Sequence, residues 1–421
     1  MDDWRSAVPQ LQENEGAGCP GSCGICADHR SGTCCALLEV TKRCNLSCRY
    51  CFANGGTEQD DPTARELKRS IVSIAEEGGR PLLQLSGGEP TLRDDLPELV
   101  AYAKACGCQW VQLNTNGIRL ANDEEYVREL DAAGLSFVFL QFDGVTDDVY
   151  ETLRGEALLE TKKRAIDICG RYGLGVTLVP TVVRGVNDDQ LGDIIRFGIS
   201  RSPVVRGVHF QPVTFTGRFP DENKERYTLD ELITNICSNT GYPAENIVPS
   251  HCDHPMCGFH SSMVIQEDGT LLPLTRNNAD TAVKTTAVRN REFVGNHWSR
   301  PAGNGGFTLV SSASAEDCCC GPVKPAESGD CCCGTGAASE TQSCCCGPAS
   351  EPTDEELRIS SEAAVDLDSF LARAKEYSFT LTSMAFMDRM NFDIERLKHC
   401  SLHVWHEGKL VPFCARYLRK C

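Results

Sequence analysis

Between residues 36 and 212, short apolar runs alternate with longer stretches in which apolar residues recur every three or four positions. Short runs are typical of buried strands, and the longer period is typical of helices packed on one face. Six strands are predicted, at Ala36–Val40, Pro81–Leu85, Trp110–Asn114, Phe137–Phe142, Val176–Val183 and Val208–Gln211. Five helices are predicted between them, near 63–77, 94–105, 123–133, 146–172 and 188–200. Strict strand–helix alternation predicts an α/β fold, a partial barrel of six β/α units with its site at the carboxyl ends of the strands.

The pattern loosens after residue 212. A helix is predicted over Leu229–Asn239 and a hairpin over Met263–Leu274. From about 277 to 355 small and polar residues predominate, so this segment is predicted to be a disordered insertion that cannot bury enough apolar surface to order itself. A compact tail follows, with one helix and two strands, at Ala363–Tyr377, Ser401–His406 and Lys409–Phe413.

Charge and hydropathy exclude several classes of protein. The chain has 421 residues, with 41 Lys and Arg against 59 Asp and Glu, for a net charge of −18. This balance repels phosphate backbones and predicts no nucleic-acid binding. No apolar window is long enough to span a bilayer, and the acidic start at Asp2 and Asp3 lacks the features of a signal peptide. The sequence therefore predicts a cytoplasmic protein without a transmembrane segment.

The 26 cysteines fall into clumps, unlike the scattered cysteines of a disulfide framework. A long intracellular chain more often uses such cysteines for metal binding or catalysis. One clump is a repeat in which Cys318, Cys331 and Cys344 each begin a Cys-Cys-Cys-Gly block. Two interpretations of this repeat stay open: a thiol-rich arm that binds a soft metal, and a disordered insertion expanded by repeat slippage.

Three cysteines directly after the first predicted strand carry the strongest chemical signal. Cys44, Cys48 and Cys51 have the spacing C-x3-C-x2-C within the segment Thr41–Phe52. Three thiolates satisfy three irons of a [4Fe–4S] cluster and leave the fourth iron open to a substrate or cofactor. Because similar spacings occur in zinc sites, the cysteines alone do not decide between a cluster, a zinc knuckle and redox chemistry.

Polar residues recur at the ends of the next three predicted strands. The second strand leads into Ser86-Gly87-Gly88-Glu89-Pro90, where consecutive glycines let the backbone approach a ligand and the glutamate offers a carboxylate to an amine. The third and fourth strands end in Asn114-Thr115-Asn116-Gly117 and Gln141-Phe142-Asp143-Gly144. These strand ends and the cysteine loop are predicted to form one site.

The cysteine loop with an aromatic residue after its last cysteine, followed one strand later by the Gly-Gly-Glu-Pro turn, resembles the radical S-adenosylmethionine (SAM) enzymes. The resemblance implies that Cys44, Cys48 and Cys51 bind a [4Fe–4S] cluster whose open iron chelates SAM. An electron from the cluster, supplied by a donor such as ferredoxin or flavodoxin, would cleave SAM to methionine and a 5′-deoxyadenosyl radical. That radical abstracts hydrogen from an unactivated C–H bond.

The same resemblance implies roles for the strand-end residues. Gly87, Gly88 and Glu89 would hold the methionyl amine of SAM. The ribose and the carboxylate of SAM would be bound by four polar residues, Asn114, Asn116, Gln141 and Asp143.

The chain is also similar to the tetraether lipid synthase group and its dihydropterin methyltransferase-like relatives. This similarity is carried by Cys19–His29, Leu140–Gly144, Phe210–Val213 and Met390–Cys414. It implies a mononuclear iron site and an auxiliary [4Fe–4S] cluster. The iron site would use Cys19, Cys23, Cys26 and Cys34 or Cys35, and a structural zinc site stays open as the alternative. The auxiliary cluster would use Cys252, Cys257, Cys400 and Cys414, and zinc or a loose thiol cluster stays open.

These features divide the chain into five predicted units. Residues 1–35 form a Cys-rich metal-binding extension and 36–225 the radical SAM barrel. Residues 226–276 form an auxiliary-cluster region, 277–355 the insertion, and 356–421 a tail that completes the auxiliary site. In the tail, Met384, Met387 and Met390 have helical spacing, which suits plain core packing or an apolar substrate tunnel. The nearby polar residues either orient substrate or cap and pair locally: Asp388, Asn391, Asp393 and Arg396.

The function expected from the sequence is radical attack on an sp3 carbon. C–C bond formation on lipid chains is placed first, with peripheral membrane contact, although the acidic surface disfavours anionic leaflets. Methylation of a hydroxymethyl-dihydropterin-like small molecule is the alternative within the enzyme class. An accessory iron–sulfur or metal-handling protein is the alternative of another class.

Overall fold

A computed structural model describes residues 31–56, 61–220, 225–250, 253–275, 287–300, 356–363 and 366–418. These residues cover the predicted barrel, most of the region that follows it and most of the tail. Several cysteines predicted to bind metal lie outside them, namely Cys19, Cys23, Cys26, Cys252 and those of the Cys-Cys-Cys-Gly repeat.

The described strands form one mixed sheet. Their bounds are β1 (Cys35–Thr41), β2 (Leu82–Gly87), β3 (Val111–Thr115), β4 (Phe137–Gln141), β5 (Gly175–Val179), β6 (Thr181–Val182), β7 (Val205–Pro212), β8 (Val248–Pro249), β9 (Phe259–Ile265), β10 (Leu271–Pro273), β11 (Ser378–Ser383), β12 (Leu402–His406) and β13 (Lys409–Pro412). The order is β10-β9-β11-β7-β5-β4-β3-β2-β1-β12-β13, with β6 beside β7 and β8 beside β9. From β11 to β12 in this order all neighbours are parallel, whereas β9, β10 and β13 are antiparallel to theirs.

The six strands predicted for the barrel are confirmed. They correspond to β1, β2, β3, β4, the β5–β6 pair and β7. The fifth predicted strand is interrupted at Pro180, which has no amide hydrogen to give to a neighbouring strand. The predicted hairpin after the barrel is also present, as β9 and β10.

Helices connect the parallel strands as predicted. Their bounds are α1 (Ala64–Glu77), α2 (Leu96–Ala105), α3 (Ile118–Asn122), α4 (Glu124–Ala132), α5 (Asp147–Arg154), α6 (Leu159–Arg171), α7 (Leu191–Ser200), α8 (Leu229–Thr240), α9 (Ala287–Trp298), α10 (Leu367–Tyr377), α11 (Ile394–Lys398) and α12 (Phe413–Leu418). The helix predicted over 146–172 is divided at Gly155, whose φ of +87° ends α5 in the left-handed region. None of the described helices is long and apolar enough to cross a bilayer.

Side chains alternate along the strands, so that one set packs against the outer helices and the other set faces the interior of the curved sheet. Leu83 and Leu85 of β2 share one core with Ile71 and Ile74 of α1. Because side chains alternate along a strand, Gln84 between them points to the opposite side, the interior of the curved sheet. The same alternation places Gln112 and Asn114 of β3 in the interior, together with Phe137, Phe139 and Gln141 of β4.

The two ends of the sheet are joined by the tail. Asp253 lies just before β9, near one end, and Ser401 lies just before β12, near the other end. The Asp253 carboxylate accepts hydrogen bonds from the Ser401 amide, at 2.8 Å, and from its hydroxyl, at 2.7 Å. A contact between the two ends requires the sheet to curve into a barrel, so the radical SAM-type partial barrel is confirmed and extended by strands from the tail.

Helix α9 corrects the predicted disorder of residues 277–355. It closes the amino end of the barrel, where Trp298 packs with Phe137 and Phe139 and donates from Nε1 to Thr380 Oγ1 at 3.0 Å. The prediction was wrong for 287–300 because the average composition of the long segment hid a local pair of apolar residues, Val294 and Trp298, one helical turn apart.

The tail also differs from its prediction between residues 378 and 393. Strand β11, whose sequence alternates apolar and polar residues, was not predicted. The segment from Met384 to Met390 forms a loop instead of the helix that its methionine spacing suggests. Met387 is buried in the core of the tail and Met390 is 65% exposed, so the methionines do not form one apolar face.

Candidate active site

The three cysteines predicted to bind a cluster lie in a loop that follows β1 and folds back on itself. The Cys44 amide donates to the Gly56 carbonyl at 2.9 Å, and the Leu46 amide donates to the Cys44 sulfur at 3.5 Å. Cys51 and Arg218 exchange two backbone hydrogen bonds, of 2.8 and 2.9 Å. Both ends of the loop are therefore held by the backbone, and its sulfurs remain available to a ligand.

The cysteine sulfurs lie close enough to influence one another. The pKa of the Cys44 thiol is raised to about 11, mainly by burial and in part by negative charge on Glu89, Cys48 and Cys51. Within the described residues, no three Cys, His, Asp or Glu side chains converge as ligands of a single ion would. A [4Fe–4S] cluster needs no such convergence, because each thiolate binds a different iron. Three partly buried thiols are a donor set that fits three irons of such a cluster.

Gly87 and Gly88 bring the end of β2 into direct contact with the cysteine loop. Gly87 has a φ of +138°. A Cβ atom there would lie 2.0 Å from the Thr41 carbonyl oxygen, and one on Gly88 would lie 2.1 Å from that of Arg43. The amides of Gly88 and Glu89 donate to these same two oxygens, each at 2.8 Å. The glycines are required by this backbone contact, and their contact with SAM stays a prediction.

The Glu89 carboxylate is buried and fastens the loops after β2 and β3. One oxygen accepts from the Thr91 amide at 3.1 Å and from the hydroxyls of Thr91 and Thr115, both at 2.6 Å. The other accepts from the Asn116 amide at 2.7 Å. Glu89 is only 2% exposed, so these bonds give it a positioning role, while its predicted contact with the methionyl amine stays a prediction.

Asn114 and Asn116 lie at the carboxyl end of β3, beside the cysteine loop. Asn116 donates from Nδ2 to Asn45 Oδ1 at 2.8 Å, which ties this strand end to the loop. Asn114 donates to the Ser86 hydroxyl at 3.3 Å. Their predicted contact with the SAM ribose is untested, but both stand where the cysteine loop and the strand ends meet.

Lys162 is a site residue that the sequence analysis missed. It is fully buried and donates from Nζ to the Asn116 carbonyl at 2.5 Å and to Gln141 Oε1 at 3.0 Å. Burial lowers the pKa of its amine to about 8. A signal was present, because Lys162 falls on the apolar face of α6, one turn before Ala165 and Ile166.

Arg154, also missed, forms a buried ion pair with Asp143. Its guanidinium donates to both carboxylate oxygens, at 2.8 and 2.6 Å, and the two side chains are 6% and 0% exposed. Gln141 Nε2 and the Thr181 amide also donate to this carboxylate. Burial lowers the pKa of Arg154, but the charge on Asp143 and, in part, that on Cys48 raise it above its usual range, so this guanidinium lies near the cysteine loop. The predicted contact of Asp143 with SAM stays a prediction, since its oxygens already have these partners.

Phe52, the aromatic residue that follows Cys51, packs against helix α12. Its ring centroid lies 5.4 Å from that of Phe413 and 5.0 Å from that of Tyr417. The Tyr417 hydroxyl in turn donates to Glu39 of β1 at 2.9 Å. The cysteine loop is therefore supported by helix α12.

Three of the four cysteines predicted for the auxiliary site are brought together. Burial raises the pKa of the Cys414 thiol to about 12 and that of Cys400 above its usual range, and charge on the neighbouring thiols, including Cys257, adds to both shifts. Burial raises the pKa of the Cys257 thiol, and the positive charge of Arg396, which is 6% exposed, opposes that shift. Cys252 lies outside the described residues. Asp253 also lies near these cysteines, and its negative charge adds to the effect of burial in raising the pKa of the Cys400 thiol.

The remaining predicted residues have local roles. Cys34 is buried, and its sulfur accepts a hydrogen bond from Asn290 at 3.2 Å, while its predicted partners lie outside the described residues. Asp388 pairs with Arg226 at 2.8 Å and accepts from the Phe215 amide, which fixes the loop after β7. Asp393 caps α11. These contacts favour local pairing over substrate orientation.

Comparisons with known proteins agree with this geometry. The profile of the Radical SAM superfamily matches residues 38–198. The chain is 32% identical to the 7,8-dihydro-6-hydroxymethylpterin dimethyltransferase of Methanocaldococcus jannaschii, over 94% of this chain and 79% of that protein. It is 31% identical to a probable GTP 3′,8-cyclase of Methanothermobacter marburgensis, over 52% of this chain and 70% of that protein.

Among solved structures, the crystal structure of Streptococcus suis SuiB bound to S-adenosylmethionine is similar, with a TM-score of 0.40 and 16% identity over 56% of this chain and 52% of that chain. The identity to the dimethyltransferase over nearly the full chain, together with the matched profile, shows the family. The chain belongs to the radical SAM superfamily, whose members bind a [4Fe–4S] cluster and SAM.

Proposed function

We propose that this radical SAM enzyme methylates a pterin-like small molecule. The similarity to the dihydropterin dimethyltransferase over 94% of the chain carries the proposal. Lipid C–C coupling, which the sequence analysis placed first, has no support from the relatives reported above. When bound, the cluster and SAM supply a carbon radical that abstracts hydrogen.

The chain's own residues would hold and orient these groups. Cys44, Cys48 and Cys51 would hold the cluster. Glu89 and the Asp143–Arg154 pair keep the strand ends in register with the cysteine loop, through the hydrogen bonds given above. The helices outside the sheet and α9 below it keep water from entering the barrel from those sides, which protects a reactive radical.

Two buried polar side chains of the barrel interior favour a polar heterocycle over an alkyl chain. Gln112 and Thr177 are 2% and 0% exposed. Gln112 Nε2 and Thr177 Oγ1 have no hydrogen-bond partner within the described residues. An alkyl chain would leave such groups unpaired, at about 1–3 kcal/mol each, whereas a neutral pterin carries matching donors and acceptors.

We also propose that Cys257, Cys400 and Cys414, with Cys252, bind an auxiliary [4Fe–4S] cluster. Within the described part of the chain, Arg396 forms no ion pair with a carboxylate. A buried guanidinium without a counter-charge is strongly unfavourable. Metal-bound thiolates beside it would supply that negative charge.

The test uses the full chain, reconstituted anaerobically with iron and sulfide and reduced with dithionite. It is incubated with SAM, 7,8-dihydro-6-hydroxymethylpterin and the small-molecule fraction of a cell extract as a one-carbon source. Mass spectrometry should detect a methylated pterin and 5′-deoxyadenosine, and Cys48→Ala should abolish both. A parallel incubation replaces the pterin with extracted lipids.

The outcomes separate the alternatives. Lipid-dependent product without any change in the pterin would overturn the pterin proposal. Absence of 5′-deoxyadenosine under every reductant would favour an accessory metal-handling role. Iron analysis tests the auxiliary cluster separately, since Cys400→Ala with Cys414→Ala should lose about four irons per chain.

A further inference from the structure

His209 is a buried histidine of the barrel interior that has no part in the site described above. It lies on β7, and its ring centroid is 5.2 Å from that of Phe139 and 5.9 Å from that of Trp298. The rings of Phe139 and Trp298 are themselves 4.8 Å apart. Such separations are typical of packed aromatic rings. We call these three residues the aromatic floor, because they lie where α9 closes the amino end of the barrel.

One nitrogen of the His209 ring is fixed by the protein and the other is available to a ligand. Nδ1 forms a hydrogen bond of 2.8 Å with the Thr382 hydroxyl, which holds the orientation of the ring. Nε2 has no hydrogen-bond partner in the part of the chain that the structure describes, although the residue is only 8% exposed. Polar groups buried to this extent are normally hydrogen-bonded in native proteins. Nε2 is therefore suited to a hydrogen bond with a bound molecule.

A second polar group without a partner lies beside His209. Thr177 of β5 is fully buried, and its hydroxyl forms no hydrogen bond to any described residue. Thr177 pairs with Phe139 on one side and with Gly207 on the other. Residues two apart on a strand face the same side, so Gly207 and His209 both face the interior. Because Gly207 has no side chain, Thr177 and His209 are neighbours on the inner face of the sheet.

The barrel interior above the aromatic floor has room for a ligand. Gln84, Asn114 and Gln141 point inwards and are partly exposed, although helices cover the outer faces of their strands. Phe139 lies two residues before the end of β4. At about 3.3 Å per residue, the floor is roughly 7 Å below the strand ends. A flat molecule that rests on the floor would therefore lie directly below the cysteine loop.

We propose that His209 and Thr177 bind the polar edge of a flat two-ring heterocycle that packs against the aromatic floor. A pterin has ring nitrogens, an amine and a carbonyl oxygen along one edge, and these can pair with Nε2 and with the hydroxyl. The neighbouring aromatic rings favour a planar ligand. Binding at this edge would fix which carbon of the substrate faces the cysteine loop. The inference rests on the proposed function, because the pterin is its ligand.

The test uses the reconstituted full chain with SAM and 7,8-dihydro-6-hydroxymethylpterin. Binding is measured anaerobically by ultrafiltration before reduction, and turnover is measured as methylated pterin and 5′-deoxyadenosine under the conditions given above. His209→Phe removes both ring nitrogens and keeps a ring, His209→Gln places an amide near the position of Nε2, and Thr177→Val replaces the hydroxyl with a methyl group. Thr234→Val changes an exposed threonine of α8 and is the matched control. Iron and sulfide content shows whether the barrel of each variant still assembles.

His209→Phe should weaken binding of the pterin by about tenfold or more, and Thr177→Val by about fivefold or more, because each removes a hydrogen bond at a buried position. His209→Gln should bind the pterin more tightly than His209→Phe does. The ratio of 5′-deoxyadenosine to methylated pterin should rise in His209→Phe, since a poorly oriented substrate is attacked less often. Thr234→Val should match the wild type in both measurements.

Two results would overturn this inference and leave the proposed function intact. In the first, the wild type methylates the pterin, and His209→Phe does so with unchanged affinity and an unchanged product ratio. In the second, His209→Phe and His209→Gln lose iron and affinity equally, which would assign His209 to core packing alone. If only His209→Phe loses iron, the affinity of Thr177→Val decides, and an unchanged affinity overturns the inference. A wild type that neither binds nor methylates the pterin would overturn the proposed function, and the inference with it.

Discussion

Breaking the ion pair between Asp143 and Arg154 should destabilise the site by an amount that can be worked out. The hydrogen bonds of this pair measure 2.6 and 2.8 Å, and its side chains are 0% and 6% exposed, so solvent screens it little. Asp143→Asn leaves a buried guanidinium without its counter-ion and should lower the free energy of unfolding by about 3–5 kcal/mol. Arg154→Met leaves the carboxylate unpaired and should cost a similar amount.

The double variant tests the physical cause. With both charges removed, no buried ion remains unpaired, so the loss should be close to that of one single variant. The resulting coupling energy should therefore be about 3–5 kcal/mol, the size of one single loss. The measurement is anaerobic urea unfolding of the metal-free chain, followed by circular dichroism.

An exposed pair provides the matched control. Arg128 and Glu125 form an ion pair on α4 with side chains 53% and 63% exposed. The same cycle on this pair should give less than about 1 kcal/mol. Additive losses at Asp143 and Arg154, with coupling below about 0.5 kcal/mol, would refute the reasoning.

Three further predictions concern other parts of the molecule. Burial lowers the pKa of Lys162 from 10.5 to about 8. Between these two pH values the amine is therefore mostly protonated in the unfolded chain and mostly neutral in the folded chain. The free energy of unfolding of the wild type, relative to that of Lys162→Met, should therefore be lowest below pH 8 and rise by about 3 kcal/mol towards pH 10.5. A difference in urea unfolding that does not change with pH would contradict this prediction. Gly88→Ala places a methyl group against a backbone carbonyl of the cysteine loop, so it should lower the iron and sulfide content of the reconstituted protein. The control Gly56→Ala, which has open space at its Cβ position, should leave that content unchanged. Trp298→Ala should cost about 3–5 kcal/mol of unfolding free energy, against less than about 0.5 kcal/mol for the half-exposed Val288→Ala on the same helix.

Features determined by local sequence could be predicted, and features that depend on distant contacts could not. The barrel strands follow from apolar runs such as that of β4, and the cysteine spacing together with the Gly-Gly-Glu-Pro turn carries the resemblance that predicts the cluster loop. The contact of Gly88 with the Arg43 carbonyl joins two segments, and sequence periodicity gives no indication that these segments lie side by side. The same is true of the parallel pairing of β12 with β1, which joins residues far apart in the chain.

Arg154 and Lys162 belong to an intermediate class. Each is a charged residue on the apolar face of a predicted helix, so the sequence contained a signal. Their partners could not be named, because Gln141 belongs to β4 and Asp143 to the loop that follows it. The error over α9 had a different cause, since a composition average over a long segment concealed one helical turn.

The packing of Phe52 against α12 has a consequence for the biosynthesis of the protein. Strand β1 needs β12 as its neighbour, and the cysteine loop rests on Phe413 and Tyr417. Chains are synthesised from the amino end, at about 5–20 residues per second. Although Cys44 and Cys51 are translated early, the surface that supports them is complete only after helix α12 has left the ribosome. Iron–sulfur assembly in the barrel is thus expected to follow the synthesis of α12, and termination before residue 413 should leave a chain that retains less iron.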